Sequence, residues 1–278
     1  MGPNGIGKST LIKTLAGLQP VLSGEVNVLD KHQIGLVLTD KLAASNLTVF
    51  DLVSFGRYPF IDWNLKLRSK DLDIIHQAIE MVHIDELKDK KIAELSDGQL
   101  QMAMIAKALA QDTTVLLLDE PTAHLDLNNR VEVMNLLRTI SRQQNKATLI
   151  ATHELDLALQ TADRIWLTMP DRQIKTGIPE DLVLDGSFDE VFRFKGFDLK
   201  TGKVHHEAYR QMAVHLIGEG HEFLWTKNAL ERNGFSFSPE SNTTIMVKQN
   251  DILTRWILRK EQFEKEFDSI ALLLQNLL

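Results

Sequence analysis

The chain has 278 residues, 44% hydrophobic and 25% charged, which excludes a disordered or fibrous protein and provides for one or two buried cores. A formal net charge of −7 argues against a nucleic-acid-binding surface, which needs clustered Lys and Arg, and the lack of cysteine removes disulfides and Cys-based metal sites. No uninterrupted apolar run approaches the roughly 20 residues that span a bilayer, and no charged-then-apolar leader opens the sequence, so a membrane role requires a partner.

In chain order, the first element is Gly2-Pro3-Asn4-Gly5-Ile6-Gly7-Lys8-Ser9-Thr10, which satisfies G-x-x-x-x-G-K-[ST] and runs directly into the helical pattern Leu11 to Ala16, with Gly17 behind it. Glycines let such a loop curl so that successive N–H groups converge on phosphates. Lys8 then reaches the β- and γ-phosphates, the Ser9 hydroxyl binds Mg²⁺, and the helix N-terminus adds partial positive charge. Taken alone, the pattern also suits a Gly-rich turn before a helix.

Ile34-Gly35-Leu36-Val37-Leu38 reads as an apolar strand followed by Thr39-Asp40. From about 41 to 110 the pattern is mostly helical, without a comparable buried strand, so a helical subdomain is expected inside an α/β core. Within it, Leu95-Ser96-Asp97-Gly98-Gln99 opens the helical stretch Leu100 to Ala110. Ser96 and Gln99 satisfy the S-x-x-Q capping box, and a capped helix start beside Gly98 is also an anion site.

Val115 to Leu118 and Thr148 to Ala151 are short and apolar without alternation, as expected of parallel strands covered on both faces; Arg164 to Leu167 is a weaker third. The first ends in Asp119-Glu120-Pro121, at the strand end where open α/β sheets bind ligands. There Asp119 suits a metal held through water, and Glu120 suits orienting or deprotonating an attacking water. An isolated strand-ending acidic pair is also what a solvated edge looks like. Thr152-His153 ends the next strand, so His153 is expected at the same rim; a lone His is ordinarily structural, but its register with the loop and the acidic pair makes it a catalytic candidate.

From about 193 to 278 the texture changes to short alternating strands around one strong helix, a small α+β domain. Phe223, Lys227 and Leu230 mark that helix, and Gly234 is placed to end it. Trp256, Phe263, Phe267, Ile270, Leu274 and Leu277 are spaced as one last helix, expected to pack on its own sheet rather than form a coiled-coil seam. His205, His206, His215 and His221 read as surface residues, because no acidic or cysteine ligand completes a metal set.

The order of motifs, with the loop at 2–10, LSDGQ at 95–99, VLLLDEP at 115–121, AHLD at 123–126 and His153, resembles the ATP-binding cassette family over residues 1–192. Thr48-Val49, Gly56-Arg57-Tyr58-Pro59 and Glu154 to Ala158 look like the ATPase subunits of iron-siderophore, haem and cobalamin importers. The resemblance implies an α/β P-loop NTPase fold, a parallel sheet with an inserted helical subdomain, that binds ATP and Mg²⁺. It implies two cassettes arranged head to tail, each ATP held between residues 2–10 of one copy and Ser96, Gly98 and Gln99 of the other. Ser9, Asp119 and Thr39 would serve the metal, Glu120 and His153 the catalysis, and Asp126 would lie in the segment crossing the interface. Membrane permease subunits, and indirectly a periplasmic or lipoprotein substrate-binding protein, are the implied partners, and the cytoplasmic face of the membrane the implied location. A soluble cassette ATPase, for example of metal-cluster assembly, and a nonhydrolytic regulatory module are the alternatives.

Three departures from the family pattern carry expectations. The family's strands before the P-loop are lacking, so a central sheet position is expected to be unpaired and the fold weakened. Thr39 stands where the family has glutamine and is expected to reach Mg²⁺ through its hydroxyl, with Asp40 the alternative. Asp97 replaces a glycine, and its carboxylate is expected to turn toward the amides of its own helix start.

Overall fold

The computed structural model describes residues 1–26, 30–38, 46–61, 66–194, 197–200, 202–204, 208–249, 253–260 and 263–277. Two units divide the chain, Met1–Arg193 and Phe194–Leu278. Among the described residues no helix is long and apolar enough to cross a membrane.

In the first unit, α1 (Lys8–Leu15) precedes a parallel sheet in the order β1 (Ile34–Val37), β2 (Val115–Asp119), β3 (Ala147–Ala151). Side chains alternate across a strand, so β2 serves two cores. Leu117 faces Ile12 of α1 together with Ile34 and Ala151. Leu116 and Leu118 face the opposite layer, which contains α2 (Val49–Ser54), α3 (Ser69–Met81), α4 (Asp97–Leu109) and α5 (Leu127–Gln143). Val49, Ile75, Ile105 and Val133 represent these four helices in one continuous cluster, each at most 1% exposed. The helical stretch between β1 and β2 thus shares its core with the sheet.

Short turns fix that layer. Thr48 and Asp51 form a reciprocal capping box at the start of α2. Buried Arg57 donates to Asp71 Oδ1 at 3.0 Å and to the Ala110 carbonyl at 3.0 Å, tying the turn after α2 to α3 and to the end of α4. Gly56 is required beside it, because a Cβ there would lie 2.3 Å from the Lys107 carbonyl oxygen.

After α6 (Leu155–Thr161), β4 (Ile165–Thr168) pairs antiparallel with β5 (Ile174–Gly177), and α7 (Pro179–Leu184) and α8 (Ser187–Phe192) follow. Among the described residues β3 pairs only with β2, whereas the Met1 backbone bonds β4, receiving the Thr168 amide at 3.0 Å and donating to the Trp166 carbonyl. A groove of about 630 Å³ lies between, lined by Leu137, Thr148, Ile150, Ile165 and Trp166 among others. Residues 148–151 are covered on both faces only in part: Leu149 packs against the cluster around Ile12 and Ile150 against the helical layer, yet both are half-buried because they also line this groove, and among the described residues the Thr148 hydroxyl has no hydrogen-bond partner.

The second unit begins with the hairpin β6 (Phe197–Asp198) and β7 (Lys203–Val204). It continues through β8 (Ala213–Ile217), α9 (Gly220–Arg232), β9 (Ser236–Phe237), β10 (Thr243–Gln249), β11 (Thr254–Lys260), β12 (Phe263–Phe267) and α10 (Ile270–Leu277). The sheet order is β12-β11-β10-β8-β9. Gly234, at φ 81°, ends α9: its amide donates to Glu231 and that of Phe235 to Leu230, a Schellman closure with Leu230 and Phe235 both buried. Trp256 of β11 donates its indole N–H to Thr226 of α9 at 2.7 Å, a buried bond joining sheet to helix.

The single last helix expected from Trp256 to Leu277 is corrected. Only Ile270, Leu274 and Leu277 lie on α10; Trp256 is on β11, and Phe263 and Phe267 are the ends of β12. Phe263 and Phe267 are four apart, which suits a helix turn, but with Lys265 between them they equally mark one face of a strand. His215 lies on β8 and His221 opens α9, while His205 and His206 fall outside the described residues.

Candidate functional site

Residues 2–7 form the loop before α1, with Gly5 and Gly7 at φ 79° and 107°, conformations that L side chains rarely adopt. No atom would meet a Cβ at either position, so the requirement there is one of backbone shape. Lys8 folds back into this loop, its ammonium donating to the carbonyls of Gly2 at 3.0 Å and Pro3 at 3.3 Å. Ser9 and Thr10 are exposed on the first turn of α1.

The carboxyl end of β2 places Glu120 beside this loop, and the end of β3 places His153 beside Glu120. Glu120 Oε1 is 3.5 Å from Lys8 Nζ, and Glu120 Oε2 is 2.7 Å from His153 Nδ1. Glu120 takes the left-handed conformation at φ 48°, unusual for a residue with a Cβ, and its amide is held by the Ala151 carbonyl at 2.8 Å. His153 is open to solvent on the outer side at 48% side-chain exposure, whereas the Glu120 side chain is 16% exposed. This leaves one carboxylate shared between a cation and an imidazole at the rim of the sheet.

Asp119 is buried, and its Oδ1 has no hydrogen-bond partner among the described residues. An orphaned carboxylate oxygen in a buried position is costly unless a cation offsets it. That oxygen fits an ion that keeps several waters and takes phosphate oxygens, the behaviour of Mg²⁺, for which the exposed Ser9 hydroxyl on the first turn of α1 is the second candidate protein oxygen. Thr39 and Asp40 lie outside the described residues.

At the start of α4, the Ser96 hydroxyl accepts the Gln99 amide at 3.3 Å and Gln99 Oε1 accepts the Ser96 amide at 3.1 Å. Gly98 is buried, and a Cβ on it would lie 3.0 Å from Asn129 Cγ of α5. The expected turn of Asp97 toward its helix amides is corrected: Asp97 is exposed in the first turn with no hydrogen bond among the described residues. Ser96 already takes the amide that a capping carboxylate would need, and a side chain one position later points outward.

Between these parts runs the segment after Glu120. Asp126 caps α5 by accepting the Asn129 amide at 2.9 Å, and His124 is left-handed at φ 66°. Arg130 of the same turn donates to the Leu125 carbonyl at 2.6 Å and lies 3.3 Å from Glu154 Oε1. The sequence gives no motif for Arg130 or Asn129; only their distance from Asp126, within the first turn of the helix it caps, hints that they reach back to the site.

Two family models match the chain: ABC transporter over residues 1–123, and iron ABC transporter C-terminal domain over residues 210–278. The chain is 36% identical over 203 residues to the achromobactin transport ATP-binding protein of Dickeya dadantii, covering 69% of this chain and 76% of that one. It is 35% identical over 208 residues to the petrobactin import ATP-binding protein of Bacillus anthracis, covering 70% and 76%. A solved structure described as an inward-facing metal-chelate type ABC transporter matches with a TM-score of 0.65 at 30% identity, covering 69% of this chain and 76% of that chain.

Proposed function

The chain belongs to the ATP-binding subunits of ABC transporters, and from that premise we propose that it hydrolyses ATP to drive import of an iron-siderophore chelate. The observation that carries the reading is the convergence of Lys8, Glu120 and His153 at one rim of the sheet. Phosphoryl transfer to water needs positioning and charge stabilisation more than covalent chemistry, and these residue types supply both. Loop amides and Lys8 hold the phosphates of ATP. Glu120 orients the attacking water and accepts its proton, and His153 contacts the γ-phosphate from the other side. Ser9 and Asp119 would hold Mg²⁺, which would neutralise phosphate charge when bound.

Ser96, Gly98 and Gln99 lie at a capped helix start that suits an anion, and in this reading they complete the site of a second copy arranged head to tail. Membrane permease subunits receive the resulting motion on the cytoplasmic face, and a periplasmic or lipoprotein binding protein delivers the chelate. Two named siderophore relatives and the iron-transporter model over 210–278 favour this cargo over haem or cobalamin, and importer over cluster assembly. The residue 193–278 region acts as an accessory domain of the 1–192 cassette.

The test is uptake of a labelled ferric siderophore by vesicles holding the chain with its permease. ATP-dependent uptake that stops with Lys8→Ala is the expected result; copurification with soluble cluster-assembly proteins, without uptake, overturns the reading.

A further inference from the structure

Two irregular segments meet at the site, residues 121–126 after β2 and residues 152–154 after β3. Both are gripped by one side chain of α5. Arg130 Nε donates to the Leu125 carbonyl at 2.6 Å, while Nη1 lies 3.3 Å from Glu154 Oε1. A guanidinium is planar and its donors point in fixed directions, so holding two acceptors fixes their relative placement.

Glu154 directly follows His153. The Glu154 side chain is only 13% exposed, but that of His153 is 48% exposed and has little packing to orient it. The imidazole therefore takes its place from its contact with Glu120 and from the backbone of 152–154, which is held by the Thr152 hydroxyl accepting the Glu154 amide at 3.0 Å and by the Arg130–Glu154 pair. The helix does not depend on Arg130, because Asp126 caps it and Val133, Met134, Leu137 and Ile140 bury it.

We propose that Arg130 is a positioning residue: through Glu154 it holds His153 against Glu120, and through the Leu125 carbonyl it ties that pair to the segment carrying Asp126. The inference rests on reading Glu120 and His153 as the hydrolytic pair. It assigns Arg130 to the rate of hydrolysis and not to nucleotide affinity, since the guanidinium touches neither the phosphate loop nor Lys8.

The test measures steady-state ATP hydrolysis, nucleotide affinity and thermal melting of the full chain as Arg130→Ala, Arg130→Lys, Glu154→Gln, the Arg130→Ala/Glu154→Gln double variant, and Glu120→Gln. Misplacing a catalytic group by about 1 Å can cost up to ~100-fold. Arg130→Ala is expected to lower kcat by about 10-fold or more, with KM and melting temperature unchanged. Glu154→Gln does the same, the double variant is no slower than the slower single one, and Arg130→Lys recovers part of kcat. Native kcat in Arg130→Ala, a loss that tracks melting temperature, additive losses, or no recovery with lysine each overturn the positioning role. Glu120→Gln separates the two readings: hydrolysis at the native rate removes the hydrolytic pair itself, whereas an inactive Glu120→Gln beside a fully active Arg130→Ala removes only Arg130. A native chain without hydrolysis contradicts both.

Discussion

Lys8 Nζ sits 3.5 Å from Glu120 Oε1, so the cation of the phosphate loop and the carboxylate at the end of β2 are neighbours across the rim of the sheet. Lys8 also bonds two loop carbonyls, which keeps its ammonium inside the curve of the loop. Hydrogen bonds to charged groups contribute about 1.5–3 kcal/mol, so Lys8→Ala is expected to weaken ATP binding by about 10-fold or more. Calorimetric titration with a nonhydrolysable ATP analogue checks this, and an unchanged affinity contradicts it.

Arg57 and Asp71 form a buried ion pair at 3.0 Å, and removing one partner strands the other. Arg57→Ala is expected to cost about 3 kcal/mol in urea unfolding. The pair also sets an acid dependence. Burial pushes the Asp71 carboxyl up, but hydrogen bonds from the Arg68 amide and the Arg57 side chain outweigh it and hold the group below its ordinary 3.8. A depressed carboxylate contributes stability that is present above its unfolded value and lost as pH falls through the folded one. The stability gap between the native chain and Asp71→Asn is therefore full near pH ~6 and shrinks below about pH 4. A gap that widens in acid contradicts the assignment.

Gly56→Ala would drive a methyl group to 2.3 Å from the Lys107 carbonyl oxygen. Backbone cannot yield as a flexible side chain does, and the expected loss is about 2 kcal/mol. Equal unfolding midpoints for the two proteins would show that α2 and α4 separate without cost.

Among the described residues, Thr226 is the one hydrogen-bond acceptor of the buried Trp256 indole N–H. Thr226→Val leaves that donor unpaired, with an expected cost of about 1–3 kcal/mol. Adding Trp256→Phe removes the orphaned donor, so the double variant is expected to lose less than the sum of the two single losses. Strict additivity in chemical unfolding contradicts the coupling.

The parts of the site that were legible in sequence are those specified locally. Gly5, Gly7 and Lys8 shape one loop, and Ser96 with Gln99 caps one helix three residues apart, so spacing alone describes them. The pairing of Glu120 with His153 was legible only as register, because both follow apolar runs that end at the same edge. Arg130 and Asn129 were not legible, since their contacts depend on how α5 crosses two loops. The last helix is shorter than its spacing predicts for a related reason: Trp256, Ile257 and Leu258 are consecutive and all buried, so β11 lacks the alternation that marks a strand. Half-burial of Leu149 and Ile150 was equally invisible, because it arises from the groove beside β3 and not from β3 itself.

The most direct test of Glu120 as the residue that directs water onto ATP is a single-turnover hydrolysis assay on Glu120→Gln beside the native chain. Glutamine keeps the size of the side chain but cannot accept the proton, and loss of a general base costs typically 100-fold to 10,000-fold, so turnover is expected to fall by at least ~100-fold while ATP remains bound. Hydrolysis of bound ATP by Glu120→Gln at the native rate would contradict the account.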